Sequence, residues 1–275
     1  MPCLYAHDTF GQKVRKLLPK EMQECIATYE DQFQLGLQGP DFLFYFRPLS
    51  KNPVNGLGHK IHKKPGAFYL KKVLPIVRRK GKYSPESAYL LGFLCHFMLD
   101  SHCHPYVEKK EKETRIGHVD LEGEFDKFLM KRDGMRPETY PLWRHIKIDR
   151  LTVNTLFYLY PWVKKRHIIV SLWSFKFCKW LLTAQNPVKK QCLIYLMKGL
   201  GLYEKLGGHY LWDETKEGSE PVSLGLFIRY EEEIEKTVAM EKMLWDMMGD
   251  SKKNKFSPRL SVNFSGKEVM LKRNE

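Results

Sequence analysis

Six side chains of the kinds that bind divalent metals stand in two short stretches, GFLCHFMLDSHCHPYV (92–107) and GHVDLEGEFD (117–126). They are His96, Asp100, His102, His104, His118 and Glu122. His96/Asp100 and His118/Glu122 have the i, i+4 spacing that stacks side chains on one helix face. The run around His96 is otherwise apolar, so this face should point inward. A buried imidazole beside a buried carboxylate is costly unless a partner satisfies both, and a divalent metal does so. With 32 acidic residues in 275, the 10 histidines should meet roughly one carboxylate four positions on. The chain instead has His96/Asp100, His104/Glu108, His118/Glu122, His145/Asp149 and His209/Asp213. The last two pairs stand alone along the chain and read as structural.

Further candidates lie upstream. His7 sits beside Asp8, ahead of the first expected helix. Asp41 follows Gly39-Pro40 within LGLQGPDFLFYFRPL (35–49), where aromatic neighbours would solvate a carboxylate poorly; a turn or N-cap aspartate is the plainer reading. His59 and His62 form an H-x-x-H among lysines, which also fits a solvated basic loop. His102 is out of phase with His96 and Asp100, and Cys103 is an alternative thiolate ligand. There is no G-x-S-x-G elbow, Walker loop, dinucleotide fingerprint or H-E-x-x-H.

The elements that must hold these residues read as all-α, a bundle-like single domain over about 1–248, with the metal residues in about 1–130 and additional helices over about 137–248. A helix over 9–31 turns Phe10, Val14, Leu17 and Leu18 inward and breaks at Pro19. Residues 35–49 and 50–66 are loops, and a helix covers 67–79. The next helix opens at Ser84-Pro85-Glu86, with a capping hydroxyl, a proline at the first position and an acid at the positive dipole end. It should end near Cys103, because Pro105 disfavours helical geometry at His104. A charged loop over 107–116 leads to a helix at 118–131 that carries His118 and Glu122, with Glu124 and Asp126 on other faces. Helices follow at 139–160, 165–184, 187–206 and 223–248. From 249 to 275 the chain is a basic tail, extended or poorly ordered.

Composition bounds the partners. Hydrophobic residues make up 43% of the chain and net charge is +14, which favours a folded domain with anionic partners. Phosphate esters and anionic membrane surfaces fit this charge. The basic clusters VRRKGK and VKKRH lack the stacking aromatics of a specific nucleic-acid reader. The first residues, MPCLYAHDTFGQKVRKLL, have no apolar run before the first charges, and the most apolar stretch, 167–184, is interrupted by Lys176 and Lys179. No cleavable leader or membrane span is therefore expected, and the cytoplasm is the expected compartment. The six cysteines include no C-x-x-C and read as small buried hydrophobes.

In order, His7, Asp41, His59 or His62, His96-x3-Asp100, His104 and His118-x3-Glu122 resemble the zinc-dependent phospholipase C family, which shares its helical fold and metal cluster with fungal single-strand nucleases. The resemblance covers roughly residues 1–130 and rests on the order of its ligand-type residues. It implies three zinc ions: one held by Asp41, one of His59 and His62, His96 and Asp100; a second by His104, His118 and Glu122; a third by His7 and a bridging Asp100. Family members complete the third site with an N-terminal tryptophan exposed by signal cleavage. This chain has none, and Pro2, freed by loss of Met1, is the substitute donor to test. The gap from Asp100 to His104 is shorter than in secreted members, which leaves His102 as a rival ligand.

The chemistry so implied is phosphodiester hydrolysis of phospholipase C type. Zinc lowers the pKa of bound water toward neutrality and supplies a hydroxide nucleophile. Asp41 orients the attack or acts as general base, and Phe42, Phe44, Tyr45 and Phe46 line a substrate pocket or belong to the core. A nuclease or phosphatase on the same metals, or a non-catalytic zinc-stabilised protein acting at membranes or with partners, is the alternative.

Overall fold

The computed structural model describes residues 4–183, 186–199, 201 and 214–269. Among these, α1 (Leu4–Leu17), α2 (Lys20–Thr28), α3 (Glu30–Gly36), α4 (Pro53–Lys63), α5 (Gly66–Lys80) and α6 (Pro85–Thr114) form the first half. The second half comprises α7 (His118–Arg132), α8 (Arg150–Leu159), α9 (Lys165–Leu182), α10 (Pro187–Gly199) and α11 (Glu220–Gly249). Short 3-10 turns occupy Asp41–Tyr45, Leu142–His145 and Pro258–Leu260. No strand forms among the described residues, and the protein is all-α, as the sequence predicts. No described helix is long and apolar enough to cross a membrane.

The bundle is organised around α6, which is buried on every side from Glu86 to Asp100. A helix apolar all round can only be a core helix. It packs chiefly against α3 and α11, with α1, α7 and α8 completing the surround. Contact with α3 is backbone to backbone: a Cβ on Gly36 would lie 2.2 Å from the Tyr89 carbonyl oxygen, and one on Gly92 would lie 2.2 Å from that of Phe33. Only glycine permits this approach.

Several sequence expectations need correction. The first helix starts at Leu4 rather than residue 9, so His7 lies within it. Its break before Pro19 is as expected. Residues 53–63 are helical, not loop, because Asn52 and Asn55 form a reciprocal cap: Asn52 Oδ1 accepts the Val54 and Asn55 amides, and the Asn52 amide donates to Asn55 Oδ1, each at 3.0 Å. Helix α6 continues through Pro105 to Thr114, so His104 is helical and 107–114 is no loop. Proline removes one helical bond and costs about 3 kcal/mol. Burial of Val107 and good helix formers beyond it offset that cost. The described part of the segment after α11, residues 250–269, is largely extended, as one of the two sequence readings has it, and forms a strap that buries Leu260 and Phe264. Asp149 is the N-cap of α8, accepting the Thr152 amide at 2.7 Å, in keeping with its structural reading. The pair His209/Asp213, with Met1, Pro2 and Cys3, lies outside the described residues.

Candidate metal centre

Five elements deliver the site. Helix α1 brings His7, the turn after α3 brings Asp41, α4 brings His62, α6 brings His96, Asp100 and His104, and α7 brings His118 and Glu122. Their donor atoms form three groups: His7/His96/Asp100, Asp41/His62/His96 and His104/His118/Glu122, each within 4.8 Å. Asp100 faces two ways, with Oδ1 3.1 Å from His7 Nε2 and Oδ2 3.3 Å from His96 Nε2. His62 Nε2 is 2.9 Å from Asp41 Oδ1, and His96 Nε2 is 3.9 Å from the same oxygen. Glu122 Oε1 lies 3.0 Å from His104 Nε2 and 3.2 Å from His118 Nε2.

Backbone carbonyls aim three of the imidazoles. Nδ1 of His62 faces the Gly58 carbonyl at 2.8 Å, that of His96 faces Leu37 at 3.2 Å, and that of His104 faces Phe264 at 2.7 Å. A carbonyl can only accept, so Nδ1–H donates and Nε2 is turned to the carboxylates. The Leu37 carbonyl reaches His96 because Gly36 and Gly92 let α3 and α6 touch. The Asp41 turn passes directly over the ring: Gly39 has φ +53°, and a Cβ there would sit 2.3 Å from His96 Cδ2. Tyr89 donates to the Gly39 carbonyl at 2.8 Å and fixes the turn from below.

The electrostatics follow from burial and mutual proximity. Burial opposes ionisation of Asp41, but the His62 hydrogen bond and the His96 and His62 charges pull its carboxyl below the usual range. Burial likewise opposes ionisation of Asp100 and Glu122, and their histidine partners hold both carboxyls down. Burial pushes His96 down to about 4, against the pull of Asp100. His104 goes the other way: burial disfavours its charge, but Asp100 and the hydrogen bond to Glu122 raise it to about 10.

The donor set fits zinc. Tetrahedral ligands bonded at 2.0–2.1 Å lie about 3.3 Å apart, close to the 2.9–3.3 Å separations within the His62/Asp41, His7/Asp100/His96 and Glu122 contacts. Buried Nδ1 of His7, Nε2 of His96 and Oδ2 of Asp100 make no hydrogen bond. Such orphans are costly unless something binds them. A cavity of about 30 Å³ between His7, Asp100, His104 and Glu122 is sized for an ion or a water. His118 and His62, at 30% and 17% side-chain exposure, are the open edge.

Other candidates fall away from this centre. His59 is exposed and packs on Phe44 with ring centroids 4.7 Å apart, since its position on α4 points it outward. His102 faces α11, with Nδ1 3.5 Å from Glu233 Oε2, because it is out of phase with Asp100 and His104. Cys103 lines the cavity but belongs to none of the three donor groups, and burial and the Asp100 charge push its thiol up. Glu124 pairs with Lys127 at 2.6 Å. Phe42 is core, Tyr45 stacks on Phe175, and Phe44 borders His62 at 5.0 Å.

Two contributors escaped the sequence reading. Asp126, one turn after Glu122, reaches the start of α1 and accepts the Ala6 and Tyr5 amides at 2.8 and 3.3 Å, which anchors the turn that carries His7. Burial raises its carboxyl to about 7 against those bonds. The sequence reading puts Asp126 on another face, but its i, i+4 spacing from Glu122 sets both on the buried side of α7. Phe264 packs its ring on His62 at 4.5 Å and on Phe97 at 5.0 Å, while its carbonyl holds His104. A lone buried aromatic in a basic tail carries no readable spacing.

Three converging His/carboxylate groups at the heart of an all-α bundle define a helical protein with a candidate multi-metal centre. The family description "zinc dependent phospholipase C" matches residues 6–199, and the chain belongs to that family. The match extends past the ligand-bearing region through α8, α9 and α10, so these helices share the family's sequence pattern. Comparison with curated proteins and with solved structures gave no match.

Proposed function

We propose that this chain is a zinc-dependent phosphodiester hydrolase that cleaves a phospholipid on the glycerol side of phosphorus. The products are diacylglycerol and a phosphorylated headgroup. The observation that carries this reading is the convergence of the His62, His96 and His104 Nε2 atoms, each set by a backbone carbonyl, on three buried carboxylates. Asp41, His62, His96 and Asp100 would hold one ion, His104, His118 and Glu122 a second, and His7 with Asp100 a third. Zinc in these places supplies Lewis-acid activation of water and of phosphoryl oxygens. Asp100, whose two oxygens face His7 and His96, would serve both of those sites. Asp41 would serve as ligand and as the acceptor that orients the attacking water. The bond from water oxygen to phosphorus forms as the bond to the glycerol oxygen breaks, and the proton from water ends on that oxygen. Phe44, beside His62 at the open edge, is placed to meet the substrate's apolar part. Contact with an anionic membrane surface is the accessory partner that the charge balance favours.

The test is zinc-loaded protein assayed on phosphatidylcholine vesicles, a simple aryl phosphodiester and single-stranded DNA. Diacylglycerol release that disappears in Asp100→Ala supports the proposal. Cleavage of DNA alone moves the assignment to a nuclease, and intact substrates with stoichiometric zinc leave a structural metal centre.

A further inference from the structure

The molecule carries a second feature that the metal centre does not use. From Arg150 to Tyr203 the chain contains no acidic residue, while Arg150, Lys164, Lys165, Arg166, Lys176 and Lys189 are among its basic ones. Within this stretch α9 is apolar on two opposite faces. Its inner face buries Ile168, Leu172 and Phe175, with Phe175 stacked on Tyr45 at 4.4 Å, in the turn that begins at Asp41. Its outer face should be polar in an ordinary surface helix. Instead Ile169, Val170, Trp173, Phe177 and Trp180 fall on one side and are exposed, Trp173 and Phe177 at 59% and 55%. Exposed apolar surface of this kind marks an interaction site.

We propose that the outer face of α9 rests on an anionic phospholipid bilayer. Tryptophan and phenylalanine beside lysine and arginine match the membrane boundary, where rings enter the headgroup region and cations meet lipid phosphate. Lys165 and Arg166 open the helix, and Lys189 lies 4.2 Å over the Trp180 ring while donating to the Trp180 carbonyl at 2.6 Å. Charge decides between occupants. A second copy docked through this face would bring the basic residues of 150–203 against their own copies, with no acid in that stretch to offset them, whereas an anionic leaflet complements them. The choice of lipid over other acidic surfaces rests on the phospholipid reading of the metal centre. The helix touching lipid would then be the one that buttresses the Asp41 turn.

The test is co-sedimentation of the full chain, treated with chelator so that turnover plays no part, with vesicles of phosphatidylcholine alone or mixed with phosphatidylserine. Partition onto the mixed vesicles is expected, falling with salt. It should drop about fivefold for each charge removed in Lys165→Ala and Arg166→Ala, and largely vanish in a Trp173→Ser, Phe177→Ser, Trp180→Ser variant with unchanged circular dichroism. Equal binding to phosphatidylcholine alone, no binding, or wild-type binding by the aromatic variant overturns the proposal. So does a concentration-dependent dimer that the aromatic variant abolishes while vesicles go unbound. Vesicle binding without hydrolysis by zinc-loaded protein refutes only the catalytic reading. Hydrolysis of a monomeric short-chain substrate without vesicle binding refutes only the surface.

Discussion

Zinc affinity should depend on pH at one part of the centre and not at another. In metal-free protein both nitrogens of His104 are donors, Nδ1–H to the Phe264 carbonyl at 2.7 Å and Nε2–H to Glu122 at 3.0 Å. A zinc ligand must offer the Nε2 lone pair, so the proton has to leave. With His104 raised to about 10, proton competition at neutral pH weakens zinc binding by roughly three powers of ten, about 4 kcal/mol. Apparent affinity at the His104/His118/Glu122 group should therefore rise about tenfold per pH unit between about pH 7.5 and 9. His96, pushed down to about 4, has no proton to give up over that range. Titration against a chromophoric chelator at several pH values, with calorimetry in two buffers to count protons, reads both behaviours. Identical pH dependence at every class of site, or binding without proton release, would refute the reasoning. The same shift sets the stability of the metal-free protein. A histidine whose folded pKa lies above its unfolded value contributes stability that is complete below about pH 6.5 and lost as pH rises through about 10. The melting temperature should fall across that window, and zinc should remove the fall.

Three other outcomes follow from the packing. Gly39→Ala sets a Cβ against His96 at a positive φ and should cost on the order of 1–3 kcal/mol together with zinc from the His96 groups; a variant with wild-type zinc content contradicts the close approach. Asp126→Ala strips the Tyr5 and Ala6 amides of their acceptor and should lower stability by roughly 1–3 kcal/mol while weakening the His7 site alone, as thermal melts and metal analysis will read. A chain ending at Ser257 loses the carbonyl that aims His104, so its His104 group should bind zinc more weakly than the Asp41 group, and equal retention at both would show the strap to be passive.

How much of this was legible depended on whether geometry was local. Within one helix, spacing alone paired His96 with Asp100 and His118 with Glu122, because 3.6 residues per turn leaves little freedom. Ser84-Pro85-Glu86 marked the start of α6 for equally local reasons. Its end was misplaced because the proline penalty at 105 is a local signal and the burial that outweighs it is not. His59 and His62 could not be separated while their segment read as a loop; the Asn52/Asn55 cap makes it a helix, and the helix sends only His62 inward. The contributions of Asp126 and Phe264 come from residues more than a hundred positions from the groups they hold, Ala6 and His104. No periodicity encodes such contacts.

Metal content of the purified chain tests the central claim most directly, with wild type and Asp100→Ala measured side by side. The three proposed sites predict about three zinc ions per chain in the wild type. Asp100→Ala should keep the ion at His104, His118 and Glu122 and lose those that depend on the bridge. A wild type holding one zinc or none, or an Asp100→Ala variant that retains the full complement, contradicts the account.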